Sequence, residues 1–135
     1  NDPGNFGTII RIADWYGIDK IIASESTADS YNPKVITASK GSFTRVHIQY
    51  TDLDAFLKKT ELPVYGAFMS GQNVHEVRFA KNGLIVMGNE SNGISEVVDK
   101  RVSQRISIPK YGHAESLNVG VATAVICDNA LRGQS

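Results

Sequence analysis

Short runs of β-branched and aliphatic residues alternate with longer helical patterns along the whole chain of 135 residues. Strands separated by helices return to a common sheet edge, so the alternation predicts an α/β fold with a mainly parallel sheet flanked by helices. A first helix is expected over residues 7–16, stopped by Gly17, and a buried strand over 20–23. Asn32 and Pro33 read as an N-cap and a first-turn proline that open a helix to about Lys40. Further strands are expected over 46–50, 63–68, 83–87 and 105–108. Between them lie a helix from a Thr51 cap through Lys59, with Leu53, Phe56 and Leu57 on one face, and a short helix over 95–100. A last helix is expected over 116–131. No repeat, linker or low-complexity stretch interrupts the pattern, and the length suits one domain over residues 1–135.

The last helix is apolar almost all round. Val119, Val121, Ala122, Ala124, Val125, Ile126 and Ala130 cannot all face one sheet, so a second covering surface is needed. A partner subunit is one candidate, and a sandwich within the domain is the other. Lys+Arg and Asp+Glu number 14 each, for a net charge of zero. Proteins that grip nucleic acid mainly by counterion release are usually basic, so this balance argues against a non-specific nucleic-acid coat. It leaves room for an enzyme with a local basic patch. Cys127 is the single cysteine, which excludes an internal disulfide and fits a reducing cytosol. No apolar run reaches bilayer length and no signal peptide is visible. His47, His75 and His113 lack metal-ligand spacing, so no metal is expected. The chain opens at Asn1 in what reads as a loop, and an amino-terminal part is expected to be missing.

Three segments stand where chemistry is usually placed. The first contains Asn5, Gly7 and Arg11, with Arg11 projecting from the first helix; a surface salt bridge is the plain alternative for that arginine. The second is an apolar strand that runs into a loop holding Gly88, Glu90 and Gly93. Open α/β sheets bind ligands outside the carboxyl ends of their strands, which makes this loop a site candidate. It lacks the lysine of a phosphate-binding P-loop and the spacing of a dinucleotide fingerprint. The third runs from Ile108 and Pro109 through a polar loop to Ser116, Leu117, Asn118 and Val119. Ser116 alone reads as a helix N-cap, whereas an amide at Asn118, beside an apolar helix, needs partners.

In this order the three segments resemble the signature motifs of the SpoU (TrmH) family of RNA 2′-O-ribose methyltransferases, in the SPOUT superfamily. The resemblance covers nearly the whole chain. It implies a carboxy-terminal trefoil knot, which the general rule against knots would not suggest, a homodimer, and a cytoplasmic enzyme. It further implies S-adenosylmethionine as methyl donor and tRNA or rRNA as substrate. By the family pattern Gly88, Ile108 and Leu117 hold the donor through backbone groups, and Met69, Ser70 and Gly71 line the same pocket after another strand end. Arg11 is implied as the residue by the ribose and its adjacent phosphate, either accepting the hydroxyl proton or stabilising the developing alkoxide and relaying that proton. Asn5, Ser116 and Asn118 are expected to orient Arg11 and the ribose. Glu90 is expected to brace the donor loops or Arg11, with a purely loop-stabilising carboxylate as its alternative. The rival functional readings are a non-catalytic RNA-binding or ribosome-assembly module on the same fold, and a nucleotide-phosphate-binding α/β protein.

Overall fold

A computed structural model describes residues 3–24, 34–39, 45–88 and 93–132; of residues 3–5 it describes the backbone. Six strands form one sheet: β1 (Lys20–Ser24), β2 (Lys34–Thr37), β3 (His47–Thr51), β4 (Val64–Asn73), β5 (Leu84–Met87) and β6 (Gln104–Ser107). Their spatial order is β3-β1-β2-β5-β4-β6. β1 runs parallel to β3, while β2 is antiparallel to both β1 and β5. β4 is parallel to β5 and to β6. It follows that β2 alone is reversed and the other five strands share one direction. The helices are α1 (Pro3–Trp15), α2 (Leu53–Lys59), α3 (Glu96–Asp99) and α4 (Val119–Leu131).

The sheet separates two cores. Ile9, Ala13, Ile21, Ile36, Ile85, Ile106 and Ile126 belong to the one shared with α1 and α4. Ile22, Val35, Leu53, Leu57, Val64, Val86 and Val98 belong to the one under α2 and α3. Neighbouring residues of β1, β2 and β5 thus alternate between cores, as the two-residue period of a strand buried on both faces requires. α1 and α4 lie against each other. A Cβ on Gly120 would stand 2.9 Å from the Thr8 Cγ2 atom, so the glycine permits the close approach. One turn from the far end, the Tyr16 hydroxyl donates to Asp128 Oδ1 at 3.3 Å, and Arg132 pairs with Asp128 Oδ2 at 2.7 Å. Arg132, and then the Tyr16 hydroxyl, hold the Asp128 carboxyl below its ordinary range.

Several sequence expectations need correcting. The helix expected from Asn32 and Pro33 to Lys40 is not formed: Lys34–Thr37 is strand β2. Asn32, Pro33 and Lys40 themselves lie outside the described residues. Local capping chemistry loses there to Val35 and Ile36, which are fully buried between β1 and β5, where β-branched side chains pack well. The first helix begins at Pro3 rather than residue 7, which fits the preference of proline for a first helical turn; Gly17 ends it with φ +72°. Asp52, not Thr51, caps α2, accepting from the Asp54 and Ala55 amides. α4 starts at Val119 rather than residue 116, with Asn118 as its N-cap. The strand expected over 63–68 continues to Asn73 across an irregularity. Among the described residues no helix is long and apolar enough to cross a membrane.

Cys127 is 1% exposed, and burial pushes its thiol up to about 12. At pH 8 its thiolate fraction is then about one in ten thousand, against roughly a quarter for an unfolded cysteine. Iodoacetamide is therefore expected to leave the native protein unmodified over a period that fully alkylates the denatured chain, as read by intact mass.

Candidate active site

A cavity of about 750 Å³ opens where β5 and β6 end and β4 departs from regular pairing. Its walls come from residues 67–69, from Met87 and Gly88, from Gly93 and Ile94, from most of 106–117, and from Val119, Ala122 and Ile126 of α4. Parallel strands ending side by side leave their loops at one edge, so the carboxyl ends of β5 and β6 set this position. The floor is apolar, with Ile106 and Ile126 almost wholly buried. Residues 110–118 are exposed along the rim.

Two backbone features shape the walls. Just after β5, Gly88 lies against Gly93 and Ile94: a Cβ on Gly88 would lie 2.2 Å from the Gly93 carbonyl carbon and 2.4 Å from the Ile94 nitrogen. Only a residue without a side chain admits that approach. Gly93 sits at φ +66°, a left-handed conformation that also favours glycine. On β4, Ala67 and Gln72 both pair with Ile106 of β6. The four residues between them are looped out of the ladder, and Phe68 and Met69 reach the cavity.

The residues singled out in the sequence fall into three groups. Met69, Gly88, Ile108, Ser116 and Leu117 line the cavity together. Ser70 and Gly71 do not; a Cβ on Gly71 would meet the Arg105 backbone at 2.8 Å, so that glycine packs on β6. Arg11 is exposed on α1 and lies outside the lining. Asn5 is in the backbone of α1, its side chain outside the description, and Glu90 lies outside the described residues. Asn118 caps α4, its Oδ1 accepting from the Gly120 and Val121 amides at 2.8 and 3.3 Å. The cap expected at Ser116 thus belongs to Asn118, which answers the need of that amide for partners. The first and third motifs meet where Thr8 touches Gly120 beside Asn118. The polar loop between Pro109 and Ser116, part of the third segment, brings Lys110, Tyr111 and Glu115 to the wall as expected; sequence reading missed Phe68, whose signal was its place at an expected strand end. No group of three or more His, Cys, Asp or Glu residues that could hold a metal gathers among the described residues.

The lining suits a nucleoside-sized ligand. Its volume falls within the usual small-molecule range of roughly 300–1,000 Å³. Its apolar floor and the presence of Gly88 and Ile108 in its wall give the mix of apolar surface and a few polar groups that small-molecule sites use.

Comparisons with known proteins agree with this geometry. A family model described as the SpoU rRNA Methylase family matches residues 1–128. The 23S rRNA (guanosine(2553)-2′-O)-methyltransferase RlmP of Bacillus subtilis is 34% identical over 93% of the chain and 52% of its own length. The 23S rRNA (guanosine-2′-O-)-methyltransferase RlmB of Neisseria meningitidis is 30% identical over 97% of the chain and 54% of its own length. A putative RNA methyltransferase of the TrmH family from Porphyromonas gingivalis superimposes with a TM-score of 0.79 at 31% identity, over 98% of this chain and 56% of that one. The SpoU methyltransferase AviRb from Streptomyces viridochromogenes, solved with AdoMet, superimposes at 0.76 with 26% identity, over 98% and 56%. The chain spans about half the length of the curated relatives it matches.

Two substitutions separate shape from capping. Gly88→Val is expected to abolish ligand binding by calorimetry, because the loop at Gly93 and Ile94 must move away. Asn118→Ala is expected to lower unfolding free energy by about 1 kcal/mol through loss of the cap, with Asn118→Asp retaining most of it, as read by urea denaturation.

Proposed function

Because the chain belongs to the SpoU rRNA methylase family, we propose that it is the catalytic domain of an enzyme that methylates a ribose 2′-hydroxyl of rRNA or tRNA, with S-adenosylmethionine as methyl donor. The observation that carries this reading is the cavity, walled by residues of the second and third motifs and by the looped-out segment of β4. Backbone groups of Gly88, Ile108 and Leu117 would hold the donor, with Met69 beside them. When bound, S-adenosylmethionine supplies a methyl group already activated on a sulfonium. The protein is left with two tasks, aligning the hydroxyl and managing its proton.

Arg11 carries the second task. A guanidinium is a poor ordinary base, so Arg11 would stabilise the developing alkoxide and relay the hydroxyl proton to solvent water. Asn5, Ser116 and Asn118 orient Arg11 and the ribose, and Glu90 braces the donor loop. Asn118 also fixes the start of α4, which ties the third-motif loop to the contact of α4 with α1. The trefoil knot is proposed for the carboxy-terminal segment that carries this loop, on the strength of family membership. A homodimer is proposed as well. Its support is the apolar surface left on α1 and α4, where Trp15 is 85% and Val121 51% exposed. A reducing cytoplasm, where RNA is modified and a lone buried thiol is stable, is the proposed location.

The rival reading, an RNA-binding module without catalysis, draws on one observation: Arg11 stands outside the cavity lining. Arg11→Ala separates the two. It is expected to leave S-adenosylmethionine affinity unchanged while single-turnover methyl transfer falls by about two orders of magnitude or more. Arg11→Lys is expected to rescue little, since an ammonium lacks the planar fork. Normal transfer by Arg11→Ala under saturating RNA would overturn the role given to Arg11. Mapping 2′-O-methyl sites in RNA from cells lacking the protein tests the activity itself: a lost site supports it, and an unchanged map contradicts it.

A further inference from the structure

The looped-out segment of β4 is held from one residue of β6. Gly66 of β4 pairs with Arg105 of β6. The Arg105 guanidinium lies 3.6 Å from the centroid of the Phe68 ring. That ring fills the space a side chain on Gly66 would take, with Phe68 Cε2 2.7 Å from the position of a Cβ there and Val102 Cγ2 at 2.8 Å. Asp99 of α3 fixes the guanidinium from the other side, both carboxylate oxygens accepting from Nη1 at 3.0 and 3.2 Å. The far end of the segment is held by the same strand. The Gly71 α-carbon abuts the Arg105 carbonyl, and the Ser107 hydroxyl donates to the Gly71 carbonyl at 3.2 Å. Phe68 and Gly71 are thereby anchored, and Met69, between them, stands at the cavity wall.

We propose that Arg105, held by Asp99, is a positioning residue for the ligand cavity: it clamps the Phe68 ring and so sets the wall formed by Phe68 and Met69. A planar guanidinium suits this work. It stacks face to face on an aromatic ring and keeps an edge for a carboxylate, which an ammonium cannot do together. Gly66 is the complementary requirement, since any side chain there would evict the ring. Arg105 does not line the cavity and acts only through Phe68. That the ligand is S-adenosylmethionine rests on the functional reading above; the clamp on Phe68 does not.

Met69 and Met87 are the two methionines of the sequence, and both line the cavity, so they provide internal probes. With ε-13C-methyl methionine, assigned through Met69→Leu, Arg105→Ala and Phe68→Leu are each expected to shift the Met69 signal of the ligand-free protein and to leave Met87 in place. S-adenosylmethionine dissociation constants from calorimetry are expected to rise about two- to fivefold in Arg105→Ala, the effect of losing one exposed cation–π contact. In a Phe68→Leu background the same change is expected to add little. Arg105→Lys should recover part of the affinity. Asp99→Asn, which keeps the arginine, is expected to give a smaller shift of Met69 in the same direction, and it serves if Arg105→Ala does not fold. An unmoved Met69 signal in both Arg105→Ala and Asp99→Asn, or losses of affinity that simply add across the double mutant, would overturn the clamp. A Met69 signal that responds in a protein that binds no S-adenosylmethionine would uphold the clamp and remove the donor reading.

Discussion

Parallel pairing of β5, β4 and β6 brings three chain segments to one edge of the sheet, and the rest of the site is built on that edge. Each strand leaves the ladder in its own way. β5 ends at Met87, and Gly88 just beyond it abuts the Gly93 carbonyl. β4 loops out between Ala67 and Gln72 while still paired to β6 on both sides. β6 passes through Ile108 into the exposed rim and then into α4. The cavity is the volume these departures enclose, floored by Ile106 and closed by α4. In such a site shape comes from backbone path, so the glycines at 66, 71 and 88 matter through what lies against them.

The second structural theme is the pairing of α1 with α4. The family's first and third motifs lie more than a hundred residues apart, and the contact of Thr8 with Gly120 joins them. The Tyr16–Asp128 hydrogen bond repeats the pairing further along both helices. α1 therefore covers part of the apolar circumference that made α4 look in need of a partner. Gly120, Thr123, Ile126, Cys127, Ala130 and Leu131 are buried within the domain, while Val121 stays half exposed.

Much of this was legible in the sequence, for identifiable reasons. The strand runs at 20–23 and 83–87 are short, continuous and apolar, which is how strands covered on both faces read, and both formed. The segment at 34–37 misled because its local signals, a capping asparagine and a first-turn proline, concern backbone preference. Its fate was settled by a place between β1 and β5 that no local rule can see. Likewise Ser116 and Asn118 both suit a cap, and only tertiary structure chose Asn118. The motif loops were found, and five of the expected catalytic or donor-binding residues share one cavity: Met69, Gly88, Ile108, Ser116 and Leu117. Ser70 and Gly71 were grouped with Met69 because a strand end looked like a loop start. The strand instead resumes, which turns Gly71 toward β6. Arg105 gave no sequence signal, since an arginine in an amphipathic edge strand reads as solvated surface.

On the proposed reading, this cavity holds S-adenosylmethionine through the backbone of the second and third motifs. Amide hydrogen exchange, resolved to single residues with and without the ligand, tests it most directly. Added protection is expected at Gly88, Ile108 and Leu117, with amides inside α2 unchanged. Binding that protects amides elsewhere and leaves those three exchanging as in the free protein would contradict it.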